Sequence, residues 1–189
     1  MPIHKPASDL CSRVSEQAAA FVRESRPLEA GALAAALGVE ETRVRALYPD
    51  DADLAFAAVE GGFALLESAM ETAPCAGSGD AARLVAMGRA YVHFALSERA
   101  LFLLMFDPVH APRRPDVGRE QGYLSTLEVV ADALWTPSDS EVARIALLQV
   151  WSMVHGYAML AISGSLPEEA LGDRVIDRMI ETGVFRIAA

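Results

Sequence analysis

The chain has 189 residues, 52% hydrophobic and 22% charged, with a formal net charge of −10. This length supports one or two domains around a real core, and this composition excludes a disordered chain. The acid excess, with Lys5 the single lysine, excludes general affinity for nucleic acid or anionic membranes.

Helical periodicity accounts for nearly every segment and no strand pattern of convincing length appears, so an all-α chain is expected. A first helix, capped by Ser8 or Asp9, turns Leu10, Val14, Ala18, Phe21 and Val22 inward, and Pro27 marks its end. Leu33 and Leu37 form an i, i+4 pair on a short helix that Gly38 can end in the left-handed conformation. Val39 pins the turn. Val44, Leu47 and Tyr48 give a second short helix its inward face, and Pro49 stops it. Two short helices joined by a glycine turn place the second one in the major groove of DNA, so Leu28 to Leu54 reads as a helix-turn-helix. A longer helix runs from about Asp51 to Thr72, and Gly61-Gly62 interrupts it at about 1 kcal/mol per glycine relative to alanine.

Pro74 to Gly79 is a loop. A helix from about Asp80 to Leu96 presents Leu84, Met87, Tyr91 and Phe94, and Ser97 can cap the short apolar helix Glu98 to Phe106. Asp107 to Pro115, with three prolines and the pair Arg113-Arg114, reads as a surface loop before a helix from about Asp116 to Leu134. Ser138-x-x-Glu141 is a capping box that starts the next helix near Asp139, and Ser165-x-x-Glu168 is a second one that starts the last helix. That last helix carries Leu171, Val175, Met179 and Ile180 on one stripe. Ile145 to Ile162 has no charged residue, a length at the edge of a membrane span. Gln149, Ser152, His155 and Gly156 within it, and the amphipathic helices around it, favour a buried helix and no membrane. Cys11 and Cys75 lie far apart and outside any CxxC spacing, as free thiols of a reducing cytosol would. The N-terminus lacks the apolar stretch of a secretion signal, so a cytoplasmic protein is expected.

The pattern Leu33-Ala34, Leu37-Gly38-Val39, Tyr48-Pro49 and Leu54 resembles the head signature of TetR-type one-component regulators. Ala90 to Leu96, then Leu101 to Phe106, then Trp151-Ser-Met-Val-His155-Gly156 resembles the subgroup with a Trp-His-Gly body domain. The resemblance implies a three-helix DNA-binding head, placed at 1–54, and a larger helical ligand-binding and dimerising body, placed at 55–189. It implies a dimeric transcriptional regulator, a repressor released from a double-stranded DNA operator by a small apolar molecule. The two last long helices would pair with those of a second copy in a four-helix bundle.

On that reading the residues facing DNA are Glu41, Thr42, Arg43, Arg45 and Ala46 of the second short helix. Arginine can pair bidentately with guanine, which singles out Arg43. Arg45 can reach a phosphate, and an i, i+4 pair with Glu41 is its competing use. The family's serine at the start of this helix is Glu40 here, its Tyr-x-His-Phe-Pro is Arg45-Ala46-Leu47-Tyr48-Pro49, and its phosphate-binding lysine is Asp51. Over residues 1–54, six basic against nine acidic residues leave the head at −3. Phosphate contacts dominate affinity, so weak DNA binding is expected. Either Arg43 and Arg45 supply the cations, or operator binding has weakened or been lost and a dimeric ligand-binding or interaction protein remains.

For the ligand, Tyr91, Phe94, Phe102, Met105, Tyr123, Trp151, His155 and Met159 supply the large, adaptable side chains of an apolar pocket. The same side chains would serve as ordinary core, and His155 as a satisfied buried histidine. His93 and His110 have no metal-ligand partner at useful spacing. With no phosphate loop, nucleophile elbow, zinc motif or paired carboxylates, no enzyme, metal or cofactor is expected.

Overall fold

Helix α1 opens at Pro6, earlier than Ser8 or Asp9, because proline is tolerated in a first turn where its missing N–H would have no partner. The computed structural model describes residues 6–108, 126, 128–134 and 136–185. Its helices are α1 (Pro6–Arg23), α2 (Ala30–Leu37), α3 (Glu41–Leu47), α4 (Asp51–Glu71), α5 (Asp80–Ser97), α6 (Arg99–Met105), α7 (Glu141–Ile162) and α8 (Asp173–Phe185), with a 3-10 turn at Glu168–Ala170. Residues 128–133 are also helical, while the rest of the helix expected from Asp116 lies largely outside the described residues. No strand occurs among the described residues, so the chain is all-α as its periodicity implied.

Two compact units are distinguished, one from the described part of Met1–Leu65 with Glu98–Pro115, the other from the described part of Leu66–Ser97 with Asp116–Ala189. In the first, Leu10, Val14 and Phe21 of α1 meet Leu33 of α2, Val44 of α3 and Leu54 of α4 in one buried core. Gly38 takes φ +66 and its N–H closes onto the carbonyls of Ala34 and Ala35, ending α2 as its position implied. Gly61 and Gly62 do not interrupt α4. A side chain at Gly61 would lie 2.2 Å from the Ser15 carbonyl oxygen, and one at Gly62 2.7 Å from Met105 Sδ. Both glycines are where another helix comes close, and the packing offsets their poor propensity.

Ser25 ends α1 at φ 55, a left-handed conformation in a non-glycine residue. Its N–H bonds to Val22 O and that of Arg26 to Phe21 O, the pattern that favours glycine at this position. Ser25→Gly is expected to raise stability by about 0.5–1 kcal/mol, seen as a rise of roughly 1–4 °C in the thermal midpoint.

In the second unit Gly88 of α5 faces Ile180 of α8 and Val154 of α7, so three helices converge where no side chain would fit. Arg89 of α5 holds Asp177 of α8 through two bonds of 3.0 and 2.7 Å, and His93 Nε2 lies 2.6 Å from Asp173 Oδ1. Three caps differ from the sequence expectation. Ser138 sits inside a turn closed by Ser140 N–H to Pro137 O, so Ser140 is the cap of α7 and accepts from Ala143 N–H at 3.1 Å. Ser165 belongs to the end of α7, its N–H bonded to Leu160 O beyond Gly164 at φ +70, and α8 starts only after Gly172. Ser97 lies within α5 and donates to Phe94 O, leaving Glu98 at the cap position of α6. On α8 the buried residues are Ile176 and Ile180; Val175 and Met179 are half-buried, and Leu171 precedes the helix and is exposed. Helix α7, uncharged from Ile145 onward, is buried along one face only, through Ala143, Leu147, Val150 and Val154. It is one helix whose length and composition would suffice to cross a membrane.

Candidate functional site

Helix α3 carries Val44 inward and leaves Glu41, Thr42, Arg43 and Ala46 exposed. Arg45 serves both neighbouring acids. Its Nε lies 3.6 Å from Glu41 one turn back, and its Nη1 lies 3.3 Å from Asp51 Oδ1 and 3.4 Å from Pro49 O. The acids after Pro49 are not loose charges. Asp53 N–H donates to Asp50 Oδ1 at 2.8 Å and Asp50 N–H to Asp53 Oδ2 at 3.2 Å, a reciprocal cap at the start of α4. Three more arginines of the first unit are also engaged: Arg13 caps Leu37 O, Arg23 forks onto Glu98, and Arg26 stacks on Phe21 at 3.5 Å. Among the described residues Arg43 has no ion pair, so its guanidinium is available to a partner.

Behind α3 lies a polar cluster that sequence reasoning missed. Tyr48, at the end of α3, is buried; its hydroxyl lies 3.4 Å from Ser15 Oγ of α1 and donates to Glu60 Oε2 of α4 at 3.5 Å. Ser15 Oγ donates to the same oxygen at 3.2 Å. Burial pushes Tyr48 up to about 12, and burial also raises the Glu60 carboxyl despite the two hydroxyls that favour its charge. The available signal was the tyrosine standing where the related signature has phenylalanine.

In the second unit α5 and α7 meet at a polar rung. Trp151 and His155 are four residues apart on α7 and so share a face. The Trp151 indole N–H can only donate, and it gives to the Tyr91 oxygen at 3.4 Å. The Tyr91 hydroxyl is hydrogen-bonded to His155 Nδ1 at 2.9 Å. Burial holds His155 below the usual imidazole range and Tyr91 well above the usual phenol range, so the rung is neutral. Tyr91, Trp151 and His155 are thus brought together, with Phe94 buried on α5 and Met159 exposed on α7. Phe102 and Met105 lie in the first unit, buried on α6, with Phe102 4.8 Å from the Phe106 ring and Met105 against Gly62. Tyr123 and His110 lie outside the described residues.

The outer face of α7 leaves Val142, Ile145, Leu148, Trp151 and Leu160 exposed. An open groove of about 490 Å³ is lined there by Ile145, Leu148, Gln149, Ser152 and Met153. Gly156 on the same helix has no atom within 4 Å of where its side chain would begin.

A helix-turn-helix under α1, followed by a helical body with Trp151, His155 and Gly156 on its central helix, defines a class of transcriptional regulators. Residues 84–183 match the family described as Tetracyclin repressor-like, C-terminal domain. That match spans more than half the chain, and the chain belongs to this family. A protein of unknown function from Rhodococcus sp. RHA1 is similar in structure at TM-score 0.65 and 26% identity, over 100% of this chain and 97% of that one. SCO4313, whose crystal structure is that of a provisionally named regulatory protein, is similar at TM-score 0.63 and 17% identity, over 99% of this chain and 98% of that one, a likeness of fold alone. No curated protein matches the chain.

Proposed function

We propose that the protein is a cytoplasmic, homodimeric repressor that binds duplex DNA weakly through α3 and is released when a small apolar ligand enters the body. The observation that carries the DNA reading is the exposed face of α3, where Thr42, Arg43 and Ala46 face outward and Arg43 keeps its guanidinium available. A cation on the second helix of a helix-turn-helix can reach base edges. The neutral rung of Trp151, Tyr91 and His155 supports the ligand reading, because a mostly apolar pocket takes its specificity from a few polar groups. The apolar outer face of α7, with a bare backbone at Gly156, supports close pairing with a second copy.

A second reading has its own observation. Arg45 is held by Glu41 and Asp51, so much of the cationic charge at the front of the head is already neutralised. This favours a dimeric ligand-binding or interaction protein in which operator binding is weakened or lost. Selection from a random duplex library at stated salt decides between the two. An enriched sequence with two-fold symmetric half-sites is the expected result; no enrichment at low salt would leave the second reading. Sedimentation at micromolar concentration is expected to give roughly twice the 20.2 kDa chain mass, and a strictly monomeric species would overturn the dimer.

A further inference from the structure

Five acids lie between Glu40 and Asp53, and the fold engages four of them. Asp50 and Asp53 close each other's backbone, while Glu41 and Asp51 hold Arg45. Glu40 is the fifth. It directly precedes α3 with an extended backbone, φ −71 and ψ 139, and its exposed side chain makes no cap bond to the helix. A serine or aspartate there would give that bond. Arg43 follows one turn later, also exposed, with its N–H on Glu40 O at 3.0 Å. Opposite charges at this spacing ordinarily attract. Yet Glu40 and Arg43 form no ion pair with each other or with another described residue, whereas Arg45, two positions on, takes both Glu41 and Asp51. The exposed side of α3 thus offers one uncommitted acceptor and one uncommitted donor a turn apart.

We infer that Glu40 is a specificity-determining residue that reads cytosine, in the base pair next to a guanine read by Arg43. The inference rests on α3 reading DNA and deepens that reading. A carboxylate repels phosphate, so on a DNA-facing helix it adds nothing to the sequence-independent affinity. It has no proton to give, so it can only accept. In the major groove thymine and guanine offer acceptors, which a carboxylate cannot use. Adenine sets the acceptor N7 beside its amino group, so the carboxylate meets repulsion there. Cytosine presents its N4 amino group without an acceptor of its own beside it, and it is the base that a carboxylate fits. Arginine makes the complementary choice, because guanine O6 and N7 take its two parallel donors. Three residues of helix rise about 4.5 Å, against about 3.4 Å per base pair. The two contacts therefore fall about one base pair apart. The excess of acids at the head is in this respect a reading device, which trades affinity for choice of sequence.

The test is selection from a random duplex library at low salt by wild type, Glu40→Gln, Glu40→Ala and Arg43→Ala. Each is also made in the Asp51→Lys background, which raises affinity without changing α3. Glu40 is exposed and makes no side-chain bond, so its variants should stay folded. The wild-type half-site should hold a cytosine column beside a guanine column. Glu40→Gln should turn the cytosine column to adenine, because an amide pairs with adenine N6 and N7. Glu40→Ala should flatten that column alone, and Arg43→Ala should flatten the guanine column alone. Between two duplexes that differ only at the cytosine pair, wild type should discriminate about tenfold or more, and Glu40→Ala hardly at all. Affinity of both Glu40 variants for unrelated duplex should rise, since a repulsion is gone. A rise that is equal for every duplex, with no column changed, would mean that Glu40 serves only the helix dipole, and it would overturn the inference while the DNA reading stands. No enrichment in either background would overturn both.

Discussion

Asp51→Lys is expected to raise affinity for a selected duplex about tenfold at low salt and to steepen the dependence of log K on log salt by about one to two units. Two changes add. A carboxylate at the front of α4 is replaced by a cation that can meet a phosphate. Arg45, now 3.3 Å from Asp51, is released from that partner and keeps only Glu41, one turn back. Each new phosphate contact releases about one counterion, which is what the slope counts. The fold should tolerate the change, because the reciprocal cap belongs to Asp50 and Asp53. A lysine in the first turn costs about 0.3–1 kcal/mol against the helix dipole. Arg45→Ala should weaken binding to every sequence alike, whereas Arg43→Ala should also relax preference at one base position. The measurement is a salt titration of the four proteins on one selected duplex. If wild type binds nothing above background and Asp51→Lys restores nothing, the head does not read DNA.

Gly61→Ala is expected to destabilise the protein by about 2 kcal/mol, through overpacking of about 1–3 kcal/mol or more set against the better helix propensity of alanine. The added carbon would lie 2.2 Å from the Ser15 carbonyl oxygen and 2.9 Å from Ala19 Cβ. The nearer neighbour is backbone, so α1 as a whole must move, and no rotamer change relieves the contact. A fall of roughly 4–8 °C in the thermal midpoint follows for a chain of this size. Gly156→Ala is the control, because the same change there meets nothing within 4 Å. In the dissociated protomer it should stabilise α7 by up to about 1 kcal/mol. Equal effects at the two glycines would mean that propensity, not the α1–α4 approach, governs both.

What was legible in the amino-acid sequence is what neighbours along the chain decide. Gly38 ends α2 because only glycine enters the left-handed region freely, and that depends on residues a few positions away. Leu10, Val14, Ala18 and Phe21 fall on one helical face by period alone, and that face is the buried one. The pair of Arg45 with Glu41 was readable from their spacing of four. The caps at Ser138 and Ser165 were misplaced because a turn beginning at Pro137 and the end of α7 competed for the same residues. Gly61 and Gly62 read as interruptions, since propensity weighs a residue without its tertiary neighbours.

The rest waited for the packing of the helices. The cluster of Ser15, Tyr48 and Glu60 joins residues 33 and 45 positions apart, and the rung of Tyr91 with His155 joins residues 64 apart. No periodicity links such positions. Their meeting depends on how closely one helix crosses another, which here turns on a glycine at each near approach. The same holds for the acids of the head. The sequence determined that they are numerous, but the tertiary structure decided that Asp50 and Asp53 close a helix and that Asp51 holds Arg45, because a charge acts on what lies within a few ångströms of it.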